Sequence, residues 1–280
     1  MFKNDIKVIN NFILTTVLIF LVSNCEGQVI DSALIKVSYT YHYRPDSTIK
    51  DLKNDDLLIL EAGKSMSVCY SYYKQLEDSL LAEQISAQQK AGATSFSMDL
   101  TGFTKNAMSA KCYRNSASKM VVVTDNLIVD DYLFTDSVLD MKWTLQSDTN
   151  RILGYHCQKA IMKFRGRSYM AWYTTEIPLS FGPLKFGGLP GLILYLKEEK
   201  GNFEFQCNSI ERLKNKKPIL FANKKYVRIT RKEYKKLVQL MDENPSAFAA
   251  SSGLTFHTKT CEGCPPVQPR KVIYNPMELE

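Results

Sequence analysis

Histidine and tryptophan are scarce in this chain, with three His and two Trp among 280 residues. His42, His156 and His257 stand far apart, and none falls in a nucleophile or zinc pattern such as G-x-S-x-G or H-E-x-x-H. His42 and His156 lie in alternating runs and read as strand-face histidines. Motif-defined hydrolases and metalloenzymes are therefore excluded, and catalysis would need a triad assembled only by the fold. No metal site is expected, and no cofactor. Beyond residue 22 there is no apolar run long enough to cross a bilayer as a helix, which takes about 20 residues. There is no internal repeat, and no domain linker appears before about residue 244.

What is present begins with an export signal. Lys3 and Lys7 form a basic start, and Phe12 to Val22 is an apolar stretch broken only by Thr15 and Thr16. Cleavage after Gly27 would leave Gln28 first, so residues 1–27 are read as a signal peptide and the protein as exported and periplasmic. A second reading makes Leu21-Val22-Ser23-Asn24-Cys25 a lipobox, with Cys25 anchored to the outer membrane. Asn24 stands where such sequences carry Gly, Ala or Ser, so soluble export is preferred. Residues 28–243 form one β-rich domain, and 244–280 an irregular Cys- and Pro-containing tail whose last residues are expected to be poorly ordered.

Cysteine usage suits an oxidising compartment. Besides Cys25 there are Cys69, Cys112, Cys157, Cys207, Cys261 and Cys264, an even set that allows up to three disulfides. The first four lie on strand-like runs, where disulfides and buried free thiols are equally good readings. Cys261-Glu262-Gly263-Cys264 lies in the Gly/Pro-rich tail and reads as a small structural disulfide. A redox pair would sit at a helix start, and zinc would want a second ligand pair.

Period-two alternation dominates the chain. Val37, Tyr39, Tyr41 and Tyr43 alternate with polar residues, as do Met66, Val68 and Tyr70. Further strand-like runs are 111–114, 119–124, 127–134, 139–146, 151–164, 168–176, 192–198 and 202–210, with Lys200-Gly201-Asn202 a hairpin turn. Two stretches read as helices. In Tyr72–Ala91, Tyr73, Leu76, Leu80, Leu81 and Ile85 make an apolar stripe that Gln84 interrupts. In Thr230–Met241, Thr230 and Glu233 make a capping box, and Tyr234, Leu237, Val238 and Met241 an apolar face. The fold class expected is mainly β: a single curved antiparallel sheet or open barrel with one or two packed helices.

The densest backbone punctuation falls between Pro178 and Gly191. Glycines 182, 187, 188 and 191 and prolines 178, 183 and 190 make up half of that stretch, which is a shaped loop. It follows a hairpin of 155–164 and 168–176 joined at Arg165-Gly166-Arg167. Gly188-Leu189-Pro190-Gly191-Leu192-Ile193 spells the string for which the GLPGLI family is named, and the chain resembles that family from Arg151 to Leu196. The resemblance runs through Gly154-Tyr155-His156-Cys157-Gln158-Lys159-Ala160 and Phe164-Arg165-Gly166-Arg167. It implies an exported protein of diderm bacteria, in a family whose activity is not established, and it supplies no catalytic residues.

Two readings of the loop follow. In one it is a binding rim, with Arg165, Arg167, Trp172, Glu176, Pro178, Gly182, Pro183, Gly188, Leu189, Pro190 and Gly191 about a ligand. In the other it only carries the chain round the end of a curved sheet, with Leu184, Phe186 and Leu189 filling the core. The leading functional expectation is a ligand- or partner-binding module of the cell envelope, taking an apolar ligand or an outer-membrane or other envelope protein. An envelope enzyme, a hydrolase or thiol-dependent, built on Glu176, His156, Cys157 and the arginines, and a structural or assembly protein of the envelope, are the alternatives. From Arg212 to Lys236 there are eleven Lys or Arg and one acid, Glu233. Export makes nucleic acid an unexpected partner, and the run is either a solvated surface or a membrane-surface contact.

Overall fold

The computed structural model describes residues 27–49, 51–93, 97–104, 107–127, 130–243, 248 and 275–279. Residues 1–26 of the expected signal peptide, with Cys25 of the alternative lipobox, and the Cys261/Cys264 pair lie outside them. Among the described residues the chain forms one twelve-stranded sheet and two helices longer than a single turn.

The first half of the sheet is a meander. β1 (Gln28–Tyr43), β2 (Asn54–Ala62), β3 (Met66–Ser71), β4 (Lys111–Asn115), β5 (Met120–Leu127) and β6 (Asp130–Ser137) pair antiparallel in succession. The second half runs β7 (Thr144–Ile152), β8 (Tyr155–Phe164), β9 (Arg167–Thr174), β10 (Leu192–Glu198) and β11 (Phe203–Phe221), and β11 returns to pair with β1. The short β12 (Val227–Arg228) adds parallel to β6, so the order is β12-β6-β5-β4-β3-β2-β1-β11-β10-β9-β8-β7.

The sheet curls, because one apolar cluster gathers Val37, Leu60, Cys69, Val123 and Phe134 from one half with Ala160, Tyr173, Leu194 and Phe205 from the other. The alternation of β1 is the cause at sequence level: Ile35, Val37, Tyr39 and Tyr41 all face this core. Inside the curl, the Tyr39 hydroxyl donates to the Ile193 carbonyl at 2.7 Å. A smaller cluster of Ala33, Val68, Tyr113 and Ile219 forms where the end of β11 folds against β1.

Three features differ from the sequence expectation. β2 has no period-two signature, because it is buried along most of its length and reads Leu-Leu-Ile-Leu. The run 151–164 is two strands, broken by a two-residue turn in which Leu153 and Gly154 both take positive φ, 51° and 85°. That pair of left-handed residues matches the twist of a tight hairpin. The end of the tail is held rather than loose. Asn275 N donates to the Pro45 carbonyl, Leu279 N donates to the Arg165 carbonyl, and the Tyr169 hydroxyl donates to the Met277 carbonyl.

Helix α1 (Tyr72–Lys90) starts where the Ser71 hydroxyl accepts from Lys74 N. Its orientation departs from the expected apolar stripe. Tyr73, Leu76 and Leu80 are exposed, and the helix buries no side chain. The reason is Gln84, with Gln88 one turn on. Gln84 exchanges two hydrogen bonds with the backbone of Asp99, and Gln88 two with that of Ser97. The Glu77 carboxylate accepts from Thr104 N at 2.6 Å. The helix thus turns its amides toward the returning chain, since backbone groups there would otherwise want water.

Helix α2 (Arg231–Glu243) is capped as expected: Thr230 N donates to Glu233 Oε2 at 2.7 Å, and Glu233 N donates to Thr230 Oγ1 at 3.2 Å.

Candidate functional site

The two halves of the sheet are joined by ions at one end. Arg165, in the left-handed β8–β9 turn with φ 45°, donates to the Asp136 carboxylate of β6 at 3.0 and 2.9 Å. It also donates to the Ser137 carbonyl and to Glu278 Oε2, both at 2.7 Å. Lys185, from the loop between β9 and β10, donates to Asp136 Oδ2 and Glu278 Oε1 at 2.7 Å each. Arg231 opens α2 and reaches Glu278 Oε2 through Nε at 2.7 Å. Burial alone would raise the Asp136 and Glu278 carboxyls, but the surrounding cations outweigh it and hold both below their usual range. Burial would likewise lower Lys185, and the two carboxylates keep its ammonium above the ordinary value.

Beside this clamp lies a cavity of about 670 Å³. Its apolar wall includes Tyr41, Tyr43, Phe134, Leu184, Phe203 and Met277. Arg231, Tyr234, Lys235, Val238 and Met241 also line it, and their spacing places one face of α2 along it. Lys185 and Glu278 stand at the clamp end.

Asp125 is a buried polar feature of the wall away from the clamp. On β5, Val123, Asp125 and Leu127 point the same way, and all three line the cavity. Asp125 is 5% exposed. The Tyr234 hydroxyl donates to its Oδ2 at 2.5 Å, while Oδ1 has no hydrogen-bond partner among the described residues. Burial pushes its carboxyl up. The nearby Ser109 and Tyr234 side chains oppose the shift without cancelling it. The rings of Phe134 and Tyr234 lie 4.6 Å apart beside it.

The residues expected from sequence to form a binding rim do not line this cavity. Arg165 is spent on the clamp. Arg167 is buried, donating to the Asn275 side chain and the Pro276 carbonyl at 2.7 Å each. Trp172 is half-buried on β9. Glu176 is exposed and accepts from the His156 backbone N–H at 2.7 Å. Pro178, Gly188 and Pro190 face solvent, whereas Gly182, Pro183, Leu189 and Gly191 are buried.

The loop turns inward, burying Phe181, Leu184, Phe186 and Leu189, and Leu184 and Lys185 are its contribution to the cavity wall. Its glycines answer close approaches. A Cβ on Gly191 would sit 2.0 Å from the Thr174 carbonyl oxygen. One on Gly187 would sit 2.7 Å from the Ser180 carbonyl oxygen and 2.9 Å from Arg114 Nε. Arg114 is buried under the loop, donates to the Lys185 carbonyl at 2.7 Å, and is pulled down to about 10 by desolvation.

Cys69, Cys112, Cys157 and Cys207 are buried free thiols, so none is in a disulfide in this structure. Cys69 and Cys112 are direct neighbours across β3 and β4. His156, Cys157 and Glu176 do not form a reaction centre. The His156 ring meets Arg151 at the exposed surface at 2.7 Å, while Cys157 points into the core. Among the described residues, no group of three or more His, Cys, Asp or Glu is gathered as metal ligands would be. No helix among them is long and apolar enough to cross a membrane. The basic run is carried by the exposed part of β11, by β12 and by the start of α2.

The fold and cavity define a β-rich domain, a single open sheet curled over an interior cavity and clamped by buried ions. The family model described as "N-glycanase peptide, N-terminal domain" matches residues 73–236, more than half of the chain, and the chain belongs to that family. Two solved structures of PNGF-II, in C2 and P21 space groups, are similar at 16% identity with a TM-score of 0.48. They cover 72% and 74% of this chain, which spans only 32% and 33% of theirs. Among curated proteins, none matches the chain.

Proposed function

We propose that this is an exported binding domain of the cell envelope, and that its site is the interior cavity between β5, β6 and α2. The observation that carries the reading is Asp125. A half-satisfied buried carboxylate is costly unless something supplies the missing contact. The cavity has the volume of small-molecule sites, roughly 300–1,000 Å³, and their mix of aromatic wall and few polar groups. The Pro/Gly loop, which carries the GLPGLI resemblance, serves the site by placing Leu184 and Lys185.

The test is intact mass spectrometry of protein purified from its native envelope fraction, under gentle and then denaturing conditions. A bound small molecule lost on denaturation is expected. A clean apo mass, together with retention of an envelope protein in pull-downs, would move the reading to a partner-binding surface. The same spectrum reads the N-terminus, Gln28 or lipidated Cys25.

A further inference from the structure

Three buried side-chain polar atoms among the described residues lack a hydrogen-bond partner: Arg44 Nε, Arg114 Nε and Asp125 Oδ1. Only Asp125 belongs to the cavity wall. The unmet group there is therefore an acceptor, and its occupant must bring a donor. At the clamp end, Lys185 and Glu278 already satisfy each other at 2.7 Å. Among the described residues, Asp125 has no Lys, Arg or His within ion-pair distance. Its immediate neighbours in the wall are the Ser109 hydroxyl, which leaves Oδ1 open, and the side chains of Phe134, Tyr234, Val123 and Leu127. A buried carboxylate flanked by aromatic rings suits one kind of group best. A cationic nitrogen neutralises the charge, donates to the open oxygen and meets ring faces that attract cations.

Resting on the binding reading above, we infer that the cavity takes an organic ammonium compound: a hydrocarbon or aromatic body filling the space beside Phe134 and Tyr234, with its amine on Asp125. A hydroxyl could donate to Oδ1 but would leave the buried charge uncompensated. A carboxylate would be repelled.

The probes are 2-phenylethylamine, 2-phenylethanol and 3-phenylpropionate, alike in size and different in head group, titrated calorimetrically into the full protein and into Asp125→Asn. The wild type is expected to bind the amine about tenfold or more tighter than the other two, the scale of a buried charged hydrogen bond. Asp125→Asn, with nearly the same shape, should lose that preference. Equal binding of amine and alcohol by the wild type overturns the inference, and this comparison needs no variant. Undiminished amine binding by a folded Asp125→Asn overturns it as well. An endogenous ligand without a cationic nitrogen defeats the ligand class and leaves the binding domain standing. Failure of every probe with a clean apo mass defeats the binding reading itself.

Discussion

Replacing Asp136 by Asn removes the charge on which the ionic clamp turns. Asp136 is 2% exposed and accepts two hydrogen bonds from Arg165 and one from Lys185, at 2.7 to 3.0 Å. Asparagine keeps one acceptor, loses the charge and points an NH₂ at two cations. Breaking a buried ion pair by neutralising one partner costs about 3–5 kcal/mol, because the other charge stays buried and uncompensated. At roughly 2–4 °C per kcal/mol for a domain of this size, the melting temperature should fall by about 6–20 °C.

The pH dependence gives the sign. The folded Asp136 carboxyl titrates below its ordinary value of 3.8, so its contribution is fully present above that value and is lost as pH falls through the folded one. The gap between wild type and Asp136→Asn should therefore be widest near neutral pH and close in acid. Urea unfolding followed by tryptophan fluorescence at several pH values measures it. A gap under about 1 kcal/mol, the scale of an exposed pair, would refute the argument. So would a gap independent of pH.

Gly191→Ala forces a Cβ to within 2.0 Å of the Thr174 carbonyl oxygen, and should cost at least ~3 kcal/mol, read as a lost or lowered unfolding transition. In the reduced native protein, Cys69, Cys112, Cys157 and Cys207 should resist alkylation at pH 8 and react once denatured. Burial pushes all four thiols up, Cys112 and Cys207 to about 12, and peptide mapping of the label would expose any exception. Leu76→Glu with Leu80→Glu on the outer face of α1 should change stability by only about 0.5 kcal/mol, since both side chains are already exposed. A drop well beyond that would mean the stripe is covered in solution.

What the sequence disclosed follows the physics of local pattern. β1 alternates because one face is core, and α2 declares itself through a capping box, so both were readable. β2 was not, since a strand buried on both faces loses its period. The face of α1 does not follow its apolar spacing, because Gln84, which interrupts the stripe, and Gln88 decide it through their amides. Their backbone-like hydrogen bonding to Ser97 and Asp99 depends on where the chain returns. The clamp left no local trace, since Asp136, Arg165, Lys185, Arg231 and Glu278 come from five separate segments. Asp125 did leave one. A carboxylate at the inward parity of Val121, Val123 and Leu127 is out of place in a strand, and parity alone marks it.

The loop that carries the sequence resemblance and the cavity that carries the proposed function are one mechanical object. Pro178–Gly191 packs Phe181, Phe186 and Leu189 into the core, and that packing fixes where Lys185 emerges. Lys185 then holds Asp136 of β6 to Glu278 of the tail, two groups that Arg165 also bridges. The cavity is walled by residues of these same segments: Leu184 and Lys185 from the loop, Phe134 from β6, Arg231 from α2, and Met277 and Glu278 from the tail. A loop built of glycine and proline is usually taken as a mobile rim. Here its glycines admit neighbours that come too close for a side chain, which gives a fixed wall, and a fixed wall can hold Asp125 half-satisfied.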